Sequence, residues 1–349
     1  MVEPTPSLER MRGYRVPPPP AADMVDWPAE FGTRFTVFVD TEEEFDWNAP
    51  FTRDRHGVSH VTALPETHRR FADRGIPLAY MVDYPIATDP RAIEILRGLV
   101  ADGVSTIGTQ LHAWVNPPFD EILSPANSFA GNLPESLEAA KLDALTGAIT
   151  AAFGVVPVAY RAGRYGIGPA TLGLLAARGY LLDSSMRSAH CYTDEGGPDF
   201  AAIGNRAFRT GPAGALLEVP LTTVFTGLAR RAGIGLYNAL GRVPKGRGVF
   251  ARSHMLSRVA LTPEQMPLAD AREAVAVALG EGLRLLNFSF HSPSIVPGHT
   301  PYVRDAADLA AFHGWWDRIL DDLGRRGVAP ASLAEIIDAA PLPAKRALR

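Results

Sequence analysis

Leu286-Asn287-Phe288-Ser289-Phe290-His291-Ser292-Pro293-Ser294 reads as an apolar strand that stops on a histidine in a Ser/Pro loop. Aromatic side chains suit a buried strand, and the Ser-Pro-Ser that follows must leave the sheet. A histidine at the carboxyl end of a barrel strand is placed for acid–base work. One isolated histidine would as readily be a satisfied structural group, but three other stretches shift the balance. Asp40-Thr41-Glu42-Glu43-Glu44-Phe45-Asp46-Trp47 crowds carboxylates directly after an apolar run, Phe35-Thr36-Val37-Phe38-Val39. Close carboxylates repel unless solvent or a cation separates them. Glu43 and Glu44 fit an acidic loop, whereas Asp40 is the last residue of the strand itself. If the alternation persists, Asp40 and Glu42 point the same way, one as base and the other as metal ligand. Gln110-Leu111-His112 puts an amide and an imidazole on one side of an extended segment, and a neutral His112 could ligate a metal. Arg161, at another strand end, needs a carboxylate if buried, and pairing with Asp40 would fix that side chain. Asp183-Ser184-Ser185 could likewise hold His291 in one tautomer and raise its pKa.

These residues must be brought together by the elements that carry them. Seven apolar strands are expected, at residues 35–40, 76–82, 104–110, 155–161, 180–184, 215–219 and 285–291. Helical segments separate most of them, such as 62–74, 91–102, 133–153, 169–178 and a closing helix at 305–327. Apolar strands alternating with helices indicate a parallel sheet covered on both faces. No Gly-x-Gly-x-x-Gly turn follows a strand, so a dinucleotide fold has no local support. The expected class is α/β, a closed or nearly closed, distorted β/α barrel of about seven parallel strands. Its strand ends carry Asp40, Asp83, Gln110 with His112, Arg161, Asp183, Glu218 and His291. The expected organisation is a Pro-rich arm at 1–30 and one barrel domain at 31–340. A basic insertion at 225–258 carries Arg230, Arg231, Arg242, Lys245, Arg247 and Arg252. It reads as a solvated insertion or subunit contact, or else as a lid over an anionic substrate or a contact to an anionic membrane.

Composition narrows the chemistry. A hydrophobic fraction of 46% in 349 residues is enough for a sizeable core. A formal net charge of -4 gives no sign of nucleic-acid binding. The one cysteine, Cys191, excludes an internal disulfide and a multi-thiolate zinc site. Any metal must therefore use histidine or oxygen ligands. Met1 to Trp27 has no apolar h-region, and no apolar run would span a bilayer, so the cytoplasm is the expected location.

Asp40-Thr41-Glu42-Glu43, Gln110-Leu111-His112, Tyr160-Arg161-Ala162-Gly163-Arg164-Tyr165 and Phe290-His291-Ser292-Pro293-Ser294 occur in an order that carries a family likeness. From about Phe35 to the closing helix the chain resembles the NodB-type polysaccharide deacetylase superfamily, carbohydrate esterase family four, and its WalW-like branch most closely. The resemblance implies a distorted β/α barrel that removes N- or O-acyl groups from sugars, or opens C–N bonds in small amides. It implies Asp40 as base, His291 as acid, Arg161 as support for the base and Asp183 as the carboxylate tuning the acid. It places Gln110, Trp114, Arg164 and Tyr165 at the substrate. It also implies a divalent metal held by an acid and two histidines, and zinc is the ion that suits such ligands. Those positions fall here on Thr41 or Glu42 and on Gln110 and Trp114. This chain accordingly either binds a metal through Glu42, His112 and a further group such as His60, or binds none.

The expected function is hydrolysis of a non-peptide C–N bond in an N-acyl sugar or a cell-envelope glycan precursor. Two alternatives stand beside it: a carbohydrate-binding or scaffold protein that kept the barrel without the chemistry, and a small-amide or cyclic-imide hydrolase. The expected partner is a small-molecule or oligosaccharide substrate, with no nucleic acid and no transmembrane segment, and a homo-oligomer is compatible with the sequence.

Overall fold

A computed structural model describes residues 13–341. All seven expected strands form, with shifted ends: β1 (Arg34–Thr41), β2 (Leu78–Val82), β3 (Thr106–Leu111), β4 (Ala159–Ala162), β5 (Leu182–Asp183), β7 (Leu216–Glu218) and β10 (Leu285–His291). They run parallel in the order β10-β1-β2-β3-β4-β5-β7.

The sheet corrects the expected count. An eighth strand on this path, β6 (Phe208–Thr210), pairs antiparallel with β7 at the edge. A two-residue β11 (Ala329–Pro330) adds to the start of β1. Both are too short to show a period in sequence. The barrel is also less closed than expected, since β6 and β10 do not pair. Irregular backbone bridges the gap instead. Thr222 N donates to Asn287 O at 3.3 Å, and Ser289 N to Leu261 O at 3.2 Å. The result is a curled half-barrel.

Strand parity divides the core in two. On β1, Phe38 points inward to Met81, Ala159, Leu182 and Leu217. Its neighbours Val37 and Val39 point outward, with Tyr80, Val82, Phe288 and Phe290, to the covering helices and their Phe312, Trp315 and Trp316. Trp27, Phe31, Leu333 and Ile336 belong to the inner cluster. The guanidinium of Arg284 donates to the carbonyls of Trp27, Pro28, Ala29 and Gly32, which ties the segment before β1 to the start of β10. Met1–Arg12 of the expected Pro-rich arm lies outside the described residues. Val16 and Val25 of the same stretch are buried against the body.

The basic stretch has structure of its own. Strands β8 (Thr223–Thr226) and β9 (Ser257–Ala260) pair antiparallel, and two short helices, Gly233–Gly241 and Gly246–Arg252, lie between them. Among the described residues, no helix is long and apolar enough to cross a membrane.

Candidate active site

Register alone brings the first two residues together. Asp40 and His291 are direct partners on β1 and β10, as Gln110 and Arg161 are on β3 and β4. All four continue the inward face of their strands and emerge at the carboxyl ends. There they line a cavity of about 410 Å³ with Glu42, His112, Trp114, Arg164 and Tyr165. Phe45, Trp47, Phe51 and Tyr302 supply aromatic walls.

Asp40 is buried and held from one side. Arg161 Nη1 donates to its Oδ1 at 2.8 Å. The rest of that guanidinium is fixed by Ser184, through O at 3.1 Å and Oγ at 2.9 Å, and lies 4.5 Å from the centroid of the Phe38 ring. The other oxygen, Oδ2, faces His291 Nε2 at 3.7 Å. A direct hydrogen bond would be shorter, so the two groups are neighbours that a reacting molecule can separate.

His291 is not held by Asp183. Its Nδ1 lies 2.7 Å from Glu264 Oε2, and its backbone N donates to Glu264 Oε1 at 3.0 Å. Burial opposes protonation of the ring. The charges of Glu264 and Glu42, the Glu264 hydrogen bond and the charge of Asp40 outweigh it and raise the pKa to about 10. Nδ1 is committed to Glu264, so Nε2 faces the cavity with a proton to give.

Asp183 lies elsewhere for a reason of parity. Leu182 points inward, so Asp183 points outward, and its register partner Glu218 does the same. Both are fully buried. Ser185 donates to Asp183 through its hydroxyl and its amide, and Met186 N donates to Glu218 Oε1 at 3.1 Å. Burial first, then mutual repulsion in the case of Glu218, raises the pKa of both carboxyls. The two acids hold the turn after β5 and touch nothing in the cavity.

The acidic loop separates into distinct roles. Glu42 lines the cavity. Gln110 Nε2 donates to its Oε2 at 3.2 Å, and His112 Nε2 lies 3.3 Å from the same atom. Burial raises the Glu42 pKa. Glu43 points into the body, where it takes Trp114 Nε1 and His112 Nδ1, each at 2.7 Å. Burial opposes protonation of His112, but the charges and hydrogen bonds of Glu43 and Glu42 raise its pKa well above the usual value. Asp83 caps the helix Tyr84–Thr88 through Ile86 N and accepts from Glu43 N at 2.6 Å.

His60 corrects the expected ligand set. Its Nδ1 lies 2.9 Å from Glu44 Oε1 and its Nε2 2.7 Å from Ser292 Oγ. Both ring nitrogens are thus engaged away from Glu42 and His112. Among the described residues, one group of three side chains is close enough to hold a metal: Glu43, Asp83 and His112, all buried. Most of its oxygens already have protein donors.

Arg164 donates to Ser128 Oγ at 2.5 Å and to Glu195, with its ring-facing side 4.0 Å from the centroid of Phe129. It and Tyr165 both have positive φ, at 54° and 58°, in a turn that aims them at the cavity. Sequence reasoning missed Glu264, Arg187, Tyr192 and Tyr302. Nothing local in the sequence marks Glu264, which lies in the loop after β9.

Comparison with known proteins gives the fold a context. A scan of protein-family models finds no match, and a search of curated proteins finds none. Among solved structures, a "putative polysaccharide deacetylase from Mycobacterium smegmatis" is 19% identical, with a TM-score of 0.53 over 93% of this chain and 95% of that one. A "putative glycoside hydrolase/deacetylase" from Parabacteroides distasonis gives a TM-score of 0.55 at 10% identity, over 92% of this chain and 72% of that one. The chain has the polysaccharide-deacetylase type of barrel.

Proposed function

We propose that the protein is a hydrolase of acylated amines on sugars, with Asp40 as general base and His291 as general acid. The observation that carries this reading is the facing pair. Asp40 Oδ2 and His291 Nε2 stand 3.7 Å apart in one cavity, each with its other polar atom held from behind, by Arg161 and by Glu264. A pure binding site has no need of a base and an acid so oriented. The fold likeness supports the reaction class, and the aromatic walls suit the apolar faces of a sugar ring.

Asp40 Oδ2 takes a proton from water as the water adds to the acyl carbon. His291 Nε2 passes its proton to the departing nitrogen, which leaves as an amine. Arg161 keeps Asp40 Oδ1 engaged, so that Oδ2 alone is free to act. Glu264 stabilises the imidazolium before transfer and keeps the ring in the productive tautomer afterwards.

Two buried oxygens bear on a metal. Glu42 Oε1 and Gln110 Oε1 have no hydrogen-bond partner among the described residues. His112 presents Nε2 beside Glu42 while Glu43 holds its Nδ1, the backing that metal-bound histidines receive. This donor set fits a divalent cation such as zinc, held by Glu42, His112 and the Gln110 carbonyl. Such an ion, when bound, supplies Lewis-acid polarisation of the acyl oxygen.

The test compares an N-acetylated amino sugar with an activated acetate ester. Loss of His291 should slow the amide far more than the ester, because an amine leaves poorly without a proton. Equal loss on both would show that His291 does not protonate the leaving group. Binding of oligosaccharide with no turnover of amide or ester, after zinc loading, would leave the scaffold reading in its place.

A further inference from the structure

Three arginines line the cavity, and they differ in what they hold. Arg161 is paired with Asp40, and Arg164 with Glu195. Arg187 has no carboxylate at ion-pair distance among the described residues. Its Nη1 donates to the Tyr192 hydroxyl at 3.2 Å, and its guanidinium lies 5.5 Å from the centroid of the Tyr165 ring. Its Nε is buried with no hydrogen-bond partner among the described residues. A buried cationic donor without an acceptor is costly.

The fold nevertheless fixes Arg187 firmly. The buried acids Asp183 and Glu218 hold the turn before it through Ser185 and Met186 N. Leu221 N donates to Met186 O at 3.0 Å, and Arg187 itself bridges to Leu221. Arg258, held by Ala189 O at 2.9 Å, adds a second cation beside Arg187, while burial and the charges of Arg187 and Arg258 hold the His190 pKa well below the usual value. The carboxylates that line the same cavity, Asp40, Glu42, Asp46 and Glu195, are not within ion-pair distance of Arg187. No acidic residue occurs between Glu218 and Glu264, so the whole segment that brings Arg258 here carries cations alone.

We propose that Arg187, with the Tyr192 hydroxyl, binds an anionic group of the substrate, a carboxylate or a phosphate, so that the protein acts on acidic acylated sugars in preference to neutral ones. The substrate class rests on the deacetylase reading, whereas the anion site itself does not. A guanidinium presents paired donors that match a carboxylate or phosphate edge. Anchoring one end of the molecule by its charge also orients the acyl bond toward Asp40 and His291.

Two measurements test this on the full chain. In calorimetric titrations, glucuronic acid or glucose 6-phosphate should bind at least tenfold more tightly than glucose, and Arg187→Gln should abolish that preference. A tighter carboxylate sugar identifies a uronate, and a tighter phosphate sugar identifies a sugar phosphate. In hydrolysis, the ratio of kcat/KM for an acidic N-acetylated sugar over its neutral counterpart should exceed tenfold in the parent. It should collapse toward one in Arg187→Gln, with the loss in KM, and recover partly in Arg187→Lys. A structural role for Arg187 would lower both substrates together and leave the ratio unchanged. Equal binding of glucose and the acidic sugars, or a ratio that Arg187→Gln does not alter, overturns the proposal while leaving the deacetylase reading intact. Charge-selective binding that depends on Arg187, with no hydrolysis of any acylated sugar, upholds the anion site and sinks the deacetylase reading.

Discussion

Two pairs of buried carboxyls in this molecule have opposite fates. Asp40 and Glu264 each meet a cation, Arg161 and His291, and both cations face the cavity. Asp183 and Glu218 meet each other behind the sheet, where no cation pairs with them among the described residues. In the proposed reaction the first pair supplies the base and supports the acid. The second shares a shielded site in which burial and two negative charges are unfavourable, which raises the pKa of both acids, and it holds backbone. The position of an acid at the end of a strand therefore says little by itself. The face of the strand, and the partner waiting there, decide what it does.

The comparison breaks most sharply at Asp40. Asp40→Asn and His291→Gln should each lower amide turnover by about a hundred- to ten-thousandfold. Each also breaks a buried ion pair, so the thermal midpoint should fall while the fold is kept, and turnover is compared well below that midpoint. Comparable turnover losses in Glu218→Gln would erase the distinction between the two pairs.

Glu264→Gln addresses the cation of the first pair. A pKa of about 10 keeps His291 protonated through neutral and mildly alkaline pH, and activity should fall as pH rises through that value. Removing the Glu264 charge should move this alkaline limb downward, toward the unperturbed value near 6.5. Turnover at pH 8.5 should drop roughly ten- to a hundredfold, with recovery at pH 6. The same raised pKa contributes folding stability that is complete below about 6.5 and disappears as pH rises through about 10. An alkaline limb that stays in place would assign it to another group.

Glu43→Gln sharpens the picture on the metal side. Weakening the partner of His112 should lower zinc affinity about ten- to a hundredfold, measured by competition with a chromogenic chelator. Unchanged zinc binding would detach His112 from the metal.

The smallest effect belongs to the shielded pair. Both acids have raised pKa values, so their contribution to stability is present at low pH and lost as pH rises through the folded values. Glu218→Gln removes one ionisable partner. It should flatten the fall in urea midpoint as pH rises above the ordinary carboxylate range. A steeper fall would mean that the pair is not protonated.

Much of the sheet was legible because its strands are long, apolar and bounded by helices. Phe35 to Val39 and Leu285 to Phe290 could hardly be anything else. The edge strand Phe208–Thr210 was not legible, since three residues show no period and its pairing depends on the neighbouring β7. Asp40 with Arg161 could be read because a buried guanidinium at a strand end demands an acid. Asp183 was misplaced because proximity to a strand end was weighed without parity. Leu182 inward already implies Asp183 outward. Glu264 was hidden for another reason: it lies in a loop after β9, and nothing local marks a loop acid as the partner of a histidine 27 residues away. His60 drew attention as a spare imidazole, but its two nitrogens serve Glu44 and Ser292.

The position of β1 between β2 and β10 has a consequence for how the chain is made. Roughly 240 residues separate Thr41 from Leu285. At ordinary rates of synthesis this is a delay of about 12–50 s. Throughout that interval one edge of Phe35 to Val39 has no strand to pair with, and Arg284 has not yet reached the carbonyls of Trp27 to Gly32. Asp40 gains its histidine only when the last long strand arrives. The facing pair of Asp40 and His291 therefore forms late in folding, and the nascent chain carries an unpaired apolar strand edge that invites association until then.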